Sequence, residues 1–177
     1  MTTQPEQVLE NNLITQLVQL GYERVSVTND AELVANFKVQ LERLNEVKLS
    51  DHEFKQILNN INKGSIFNRA KILRDRVTYT DSEGETRTVQ LLDGFHPQKN
   101  IFQVTQQVRM QGRYDNRYDV TLLINGLPLV QVELKRRGLE VKEAFNQINR
   151  YEKHSYWSGH GLFQFVQLFV ISNGVNS

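Results

Sequence analysis

Cysteine is missing from all 177 residues, and with it go disulfides, thiol catalysis and any zinc site built on thiolates. Histidine is scarce. His52, His96, His154 and His160 show no metal-ligand spacing, and even the neighbours His154 and His160 read as loop or surface residues. No apolar run of about 18 residues occurs, and the opening MTTQPEQVLE is not a basic-then-apolar leader. The expectation is a cytoplasmic protein with no membrane contact. A Gly-x-x-x-x-Gly-Lys-Ser/Thr loop is also absent, which excludes ATP binding by that route. The sequence contains no internal repeat, low-complexity stretch or linker.

Charge of one sign is in short supply too. The net value is +1, so the overall balance does not mark a nucleic-acid binder. The distribution is more informative. Residues 1–60 carry 5 basic and 9 acidic side chains, against 9 basic and 6 acidic over residues 105–153. The second stretch holds Arg109, Arg113, Arg117, Lys135, Arg136, Arg137, Lys142, Arg150 and Lys153. Such a stripe suits phosphate contact or a solvated surface. With 39% hydrophobic and 23% charged residues, a chain of this length reads as one globular domain.

Apolar residues at helical spacing (Val8, Leu9, Leu13, Ile14, Leu17, Leu20) predict a helix from Thr3 to Leu20. Thr3 and Glu6 have capping-box spacing, Pro5 suits the first turn, and Gly21 ends the helix. A short strand is expected over Tyr22–Val27. A helical excursion over about 30–62 follows, with helices from Asp30 to about Val47 and from Asp51 to about Asn62. Asn29 with Glu32, and Ser50 with Glu53, supply their start signals. From about Lys71 the period becomes that of strands: Arg76–Thr80 and Arg87–Leu92 flank a hairpin turn, and Asn100–Met110 is a third. Tyr118–Ile124 and Leu127–Lys135 flank Asn125-Gly126, the strongest short hairpin signal in the chain. A helix over about Leu139–Lys153 and a strand over Phe165–Ile171 complete a mixed α/β (α+β) domain. The chain ends at Ser177, just past Ile171-Ser172-Asn173-Gly174 and close behind that strand, so a piece of a longer protein is expected.

The chemistry gathers in the Asn125-Gly126 hairpin. Val120, Leu122 and Ile124 share an apolar face with Val130, Val132 and Leu134, while Asp119, Thr121, Gln131, Glu133 and Lys135 form the other face. Glu133 and Lys135 project together because a strand has period two. Asp119 joins them if burial aligns the two apolar sets. A simple two-residue loop would set Asp119 against Val132, so a three-residue loop or a bulge is expected, with Asp119 beside Gln131 or Glu133. Two carboxylates with an ammonium make a hard-cation site. Magnesium keeps several waters and takes one or two carboxylates, so Asp119, Glu133 and a backbone carbonyl such as that of Leu134 suffice. Lys135 would orient a water or neutralise a phosphate. Glu-x-Lys alone is commonplace, and its ordinary reading is a pair of surface charges. The following helix adds Gln147 and Tyr151, four apart on one face, where an amphipathic surface is the ordinary alternative.

Asp119, Glu133-Leu134-Lys135 and Gln147-x-x-x-Tyr151, in this order, resemble the PD-(D/E)xK motif followed by the Gln-x-x-x-Tyr motif of a subset of those nucleases. The wider strings Asn116-Arg117-Tyr118-Asp119-Val120-Thr121, Asn125 to Lys135 and Ala144 to Tyr151 closely resemble the N-terminal nuclease domain of the R subunit of type I restriction enzymes. So do Phe169 to Gly174 and the opening Leu9-Glu10 through Glu23. The likeness runs from about residue 5 to the end and is weakest over 30–62 and 71–110. It implies a restriction-endonuclease-like mixed sheet flanked by helices, forming a single domain over residues 1–177. It implies magnesium-dependent cleavage of double-stranded DNA. Asp119 and Glu133 would ligate the metal, Lys135 would serve catalysis, and Gln147 and Tyr151 would support cleavage or DNA engagement. Glu10 fits the glutamate that many such nucleases carry on the first helix, while Glu6 has a ready role as a cap. Arg136, Arg137, Lys142 and Arg150 are the expected DNA contacts. Tyr118 stands where the motif has proline, a position that carries no metal ligand. In the family this domain precedes two motor domains that bind ATP. Target recognition and methylation would belong to the specificity (S) and methyltransferase (M) partner subunits.

Two other readings share these residues. A repair or junction-resolving nuclease would have the same metal core and would be marked by a symmetric dimer in solution. A DNA-binding or docking module with an inert site would be marked by the absence of metal binding.

Overall fold

The computed structural model describes residues 6–110, 116–135 and 161–173. In chain order it contains α1 (Glu6–Gln19), β1 (Glu23–Arg24), α2 (Asp30–Asn45), α3 (Asp51–Ile61), α4 (Ile66–Arg74), β2 (Arg76–Thr80), β3 (Thr86–Gln90), β4 (Phe102–Met110), β5 (Asn116–Ile124), β6 (Leu127–Leu134) and β7 (Leu168–Ser172). Short 3-10 helices lie at Pro97–Lys99 and Leu162–Phe165. Strands β4, β5 and β6 run antiparallel, with β1 parallel to β4 at one edge and β7 parallel to β6 at the other. The expected mixed α/β architecture is the one observed.

Local chemistry sets the helix ends. Gly21 at φ 97° closes α1, its N–H bonding the Val18 carbonyl while that of Tyr22 bonds Leu17. The Asn29 side chain caps α2 through the Glu32 N–H, and Ser50 with Glu53 forms the expected capping box on α3. Apolar stripes then choose the packing. Ile14 of α1 lies on one face of the sheet with Val104, Val120, Val132 and Leu134. On the other side Leu33, Phe37 and Leu41 of α2 and Ile57 and Ile61 of α3 form a larger core with Leu123, Leu127 and Leu129. The polar residues Gln103, Thr121, Gln131 and Glu133 are buried within the sheet. They are paired internally: Asn36 Nδ2 donates to Gln103 at 2.9 Å, and Thr121 Oγ1 to Gln131 at 2.8 Å.

The β5–β6 hairpin differs from expectation in one detail and agrees in its consequence. Its loop does have two residues, Asn125 and Gly126, both at positive φ (50° and 79°), and Ile124 pairs with Leu127. The bulge sits further along. Leu123 pairs with Pro128 but Leu122 pairs with Val130, leaving Leu129 as a surplus residue in β6. Pro128 has no N–H to give the ladder, which suits an interruption there. Beyond it Thr121 faces Gln131 and Val120 faces Val132, so the ladder brings Asp119 level with Glu133.

Other boundaries moved. Residues from Lys71 to Arg74 are helical, because Ser65 caps a fourth helix through the Asn68 N–H and extends the excursion past Asn62. Strand β1 is only two residues long, since at Val27 the Thr105 hydroxyl replaces the backbone partner. The last strand begins at Leu168, behind the 3-10 helix that takes up Phe165. The expected helix over 139–153 lies outside the described residues, as does the cap at Thr3 with Pro5.

A Cβ on Gly126 would stand 2.6 Å from the Phe37 Cα, and its φ is 79°. Gly126→Ala should therefore lower stability by more than ~1 kcal/mol, read as a lower urea midpoint. An unchanged midpoint would show that α2 does not seat on this turn.

Candidate active site

The hairpin register delivers Asp119 and Glu133 to neighbouring strands at the same end of the sheet. The Leu134 N–H donates to Asp119 Oδ2 at 2.8 Å, so the strand carrying Glu133 also holds Asp119 in place. Lys135 follows one residue later. Its backbone N–H bonds the Ser172 carbonyl of β7 at 2.9 Å, and its Nζ lies 3.7 Å from Glu133 Oε1. The three side chains expected to converge do so. They are not on an open polar patch, however, because Glu133 is fully buried.

Glu10 reaches this corner from α1. It is buried, and its Oε2 accepts from Gln107 Nε2 of β4 at 2.6 Å and from Gln7 Nε2 at 3.5 Å. Gln107 stands level with Asp119, between the paired positions Gln106–Val120 and Val108–Tyr118. Its φ is 60°, a left-handed conformation that costs a non-glycine residue on the order of 1 to 2 kcal/mol. The alternation of β4 breaks there. Val104 and Val120 belong to the α1 core, whereas Val108 and Tyr118 belong to the core on the other side. Nothing in the local sequence marks a glutamine for such a backbone, and sequence reasoning did not single it out.

The electrostatics fit a tight acidic cluster. Burial pushes the Glu133 carboxyl up to about 8, helped by the neighbouring Asp119 and opposed by Lys135. Burial also raises Asp119, against the Leu134 N–H and Lys135, which pull it down. Glu10 is raised by burial, with the Gln107 hydrogen bond opposing and Asp119 adding to the rise. Arg117, from the basic stripe, lies near enough to draw both Asp119 and Glu10 down. Glu6 lies one turn before Glu10 and raises all three carboxyls.

Among the described residues no group of three His, Cys, Asp or Glu side chains forms a ready metal cage. A pair of carboxylates is nonetheless the donor set that magnesium takes, because that ion keeps most of its waters. Glu133, its proton affinity raised by burial and by the neighbouring Asp119, is also a group that a cation would relieve. The residues present fit the ion. Gln147, Tyr151, Arg136, Arg137, Lys142 and Arg150 lie outside the described residues. No helix among the described residues is long and apolar enough to cross a membrane.

Comparison with known proteins gives a consistent answer. A family model described as "Type I restriction enzyme R protein N terminus" matches residues 3–177. The SauCOLORF180P type I restriction enzyme endonuclease subunit of Staphylococcus aureus strain COL is 47% identical over 182 residues, covering 100% of this chain and 19% of that protein. The EcoprrI type I restriction enzyme endonuclease subunit of Escherichia coli is 41% identical, covering 98% of this chain and 58% of its own length. A putative counterpart from Methanocaldococcus jannaschii, the MjaVIIIP endonuclease subunit, is 29% identical over 94% of this chain and 18% of its own length. The chain thus spans about a fifth of the length of the staphylococcal relative.

The buried acids predict a pH dependence. Folded Glu133 keeps its proton up to about 8, against an ordinary value of 4.5. The folded state therefore binds more protons between these values, so the stability conferred by protonation is complete below about 4.5 and is lost as pH rises through about 8. In metal-free solution, denaturation should show stability falling across this window, and Glu133→Gln should flatten most of the slope. An unchanged slope in that variant would contradict the assignment.

Proposed function

The chain belongs to the family of type I restriction enzyme R protein N termini, and we propose that its residues 1–177 form one nuclease domain that cuts double-stranded DNA with magnesium. The observation that carries this reading is the meeting of Asp119, Glu133 and Lys135 at one end of the sheet, with Glu10 joining from α1. Asp119 and Glu133 would hold the cation, together with the Leu134 carbonyl. When bound, magnesium polarises the scissile phosphate and lowers the pKa of an attacking water. The chain's own groups supply the rest. The Leu134 N–H fixes Asp119 Oδ2, which leaves Asp119 Oδ1 for the ligand. The Lys135 ammonium, held beside Glu133, offsets phosphate charge or orients the water. Glu10, buried and hydrogen-bonded, is better placed to assist than Glu6.

Gln147 and Tyr151 would place the DNA backbone, and Arg136, Arg137, Lys142 and Arg150 would contact its phosphates. Sequence recognition and methylation would come from specificity and methyltransferase subunits. ATP-driven translocation would come from motor domains in the remainder of the R subunit, because this chain has no phosphate-binding loop. Such an enzyme works beside DNA in the cytoplasm.

The test is a separation of activities in the intact enzyme. Asp119→Ala, Glu133→Ala and Lys135→Ala should each abolish DNA cleavage while ATP hydrolysis and translocation persist. Every ~1.4 kcal/mol of lost transition-state stabilisation is a tenfold drop in rate. Gln147→Ala and Tyr151→Ala should slow cleavage by up to about a hundredfold through misplaced substrate. Wild-type cleavage by Glu133→Ala in magnesium, or joint loss of ATPase and cleavage, would refute the reading.

A further inference from the structure

The side chain of Gln107 is on the wrong side of its strand. By period two it belongs with Gln103, which faces α2 and bonds Asn36, and with Thr105, which bonds the Val27 backbone. Yet its amide donates at 2.6 Å to Glu10 of α1, the helix packed on the opposite face. The backbone makes this possible: φ at Gln107 is 60°, the place where Val104 and Val108 fall into different cores. Strain of this kind persists where surrounding structure holds it, and it concentrates at working sites. Gln107 also stands level with Asp119 across the β4–β5 ladder.

Its orientation is fixed by chemistry. The amide nitrogen donates to Glu10 Oε2, so the amide oxygen faces away. That oxygen is buried with no partner among the described residues. Gln107 also lines a cavity of about 440 Å³ between β4 and residues 24–28.

Resting on the nuclease reading, we propose that Gln107 is a positioning residue of the site. Its amide nitrogen fixes the Glu10 carboxylate beside Asp119, and its left-handed backbone exists to deliver that contact. A purely structural role predicts the opposite response to Asn, which tolerates the left-handed region better than other side chains but is one methylene too short to reach Glu10.

The experiment uses the intact restriction complex and compares Gln107→Asn, Gln107→Leu, Glu10→Gln and the double variant Gln107→Asn with Glu10→Gln. Cleavage rate at saturating DNA, magnesium for half-maximal rate and thermal midpoint are measured for each. The proposal expects Gln107→Asn to keep or raise the midpoint while cleavage falls about ten- to a hundredfold. The double variant should be no slower than Glu10→Gln, since Gln107 acts only through the carboxylate that Glu10→Gln already removes. Wild-type cleavage by Gln107→Asn, or losses that multiply in the double variant, would overturn it. If Gln107→Leu does not fold, the Asn variants still decide. Asp119→Ala, run alongside, separates the two failures. Loss of cleavage there with none in Gln107→Asn removes only this inference, whereas full cleavage by Asp119→Ala removes the nuclease reading itself.

Discussion

Asp119 and Glu133 lie on neighbouring strands, and the surplus residue Leu129 in β6 is what brings them level. Without it, a hairpin closed by Asn125-Gly126 would set Asp119 against Val132. With it, the Leu134 N–H reaches Asp119 Oδ2, and the two acids share a corner of the sheet. Burial enforces this register from both sides. Val120 and Val132 meet Ile14 in one core, and a slip of one residue would turn apolar side chains toward polar neighbours. At the turn, the α2 backbone sits so close to Gly126 that no other residue fits without displacement.

That register carries an electrostatic cost. Glu133 and Asp119 are both pushed toward their neutral forms, first by burial and then by mutual repulsion at Glu133. Lys135, the Leu134 N–H and Arg117 offset part of it. A fold selected for stability alone would place apolar side chains in these positions, as it does at Val120, Val132 and Leu134. Carboxyls with raised proton affinity gather at functional sites, which supports the proposed role of this corner. The left-handed Gln107 and its bond to buried Glu10 fall in the same corner. In the nuclease account a divalent cation supplies the missing positive charge.

Much of this was legible in the sequence because the signals are local. Asn29, Ser50 and Gly21 cap their helices as their side chains or backbone freedom require. The alternation over 118–134 gave the two faces of the hairpin, and the misfit between turn and faces required a longer loop or a bulge. Less local features were hidden. Helix α4 was missed because Ser65, a good cap, precedes a segment without a clean apolar stripe. The polar face of the hairpin packs against α2 and its neighbours, a tertiary fact that no strand pattern contains. Gln107 was invisible for the same reason, since its side chain meets a residue 97 positions away in sequence.

The central claim is that Asp119 and Glu133 together bind a divalent cation. Manganese is a stand-in for magnesium that scatters anomalously, so diffraction from crystals of the protein soaked in manganese chloride locates the ion directly. The account predicts one anomalous peak bonded to both carboxylates, lost in Asp119→Asn. Manganese bound elsewhere, with Asp119 and Glu133 sharing a proton between them, would contradict it.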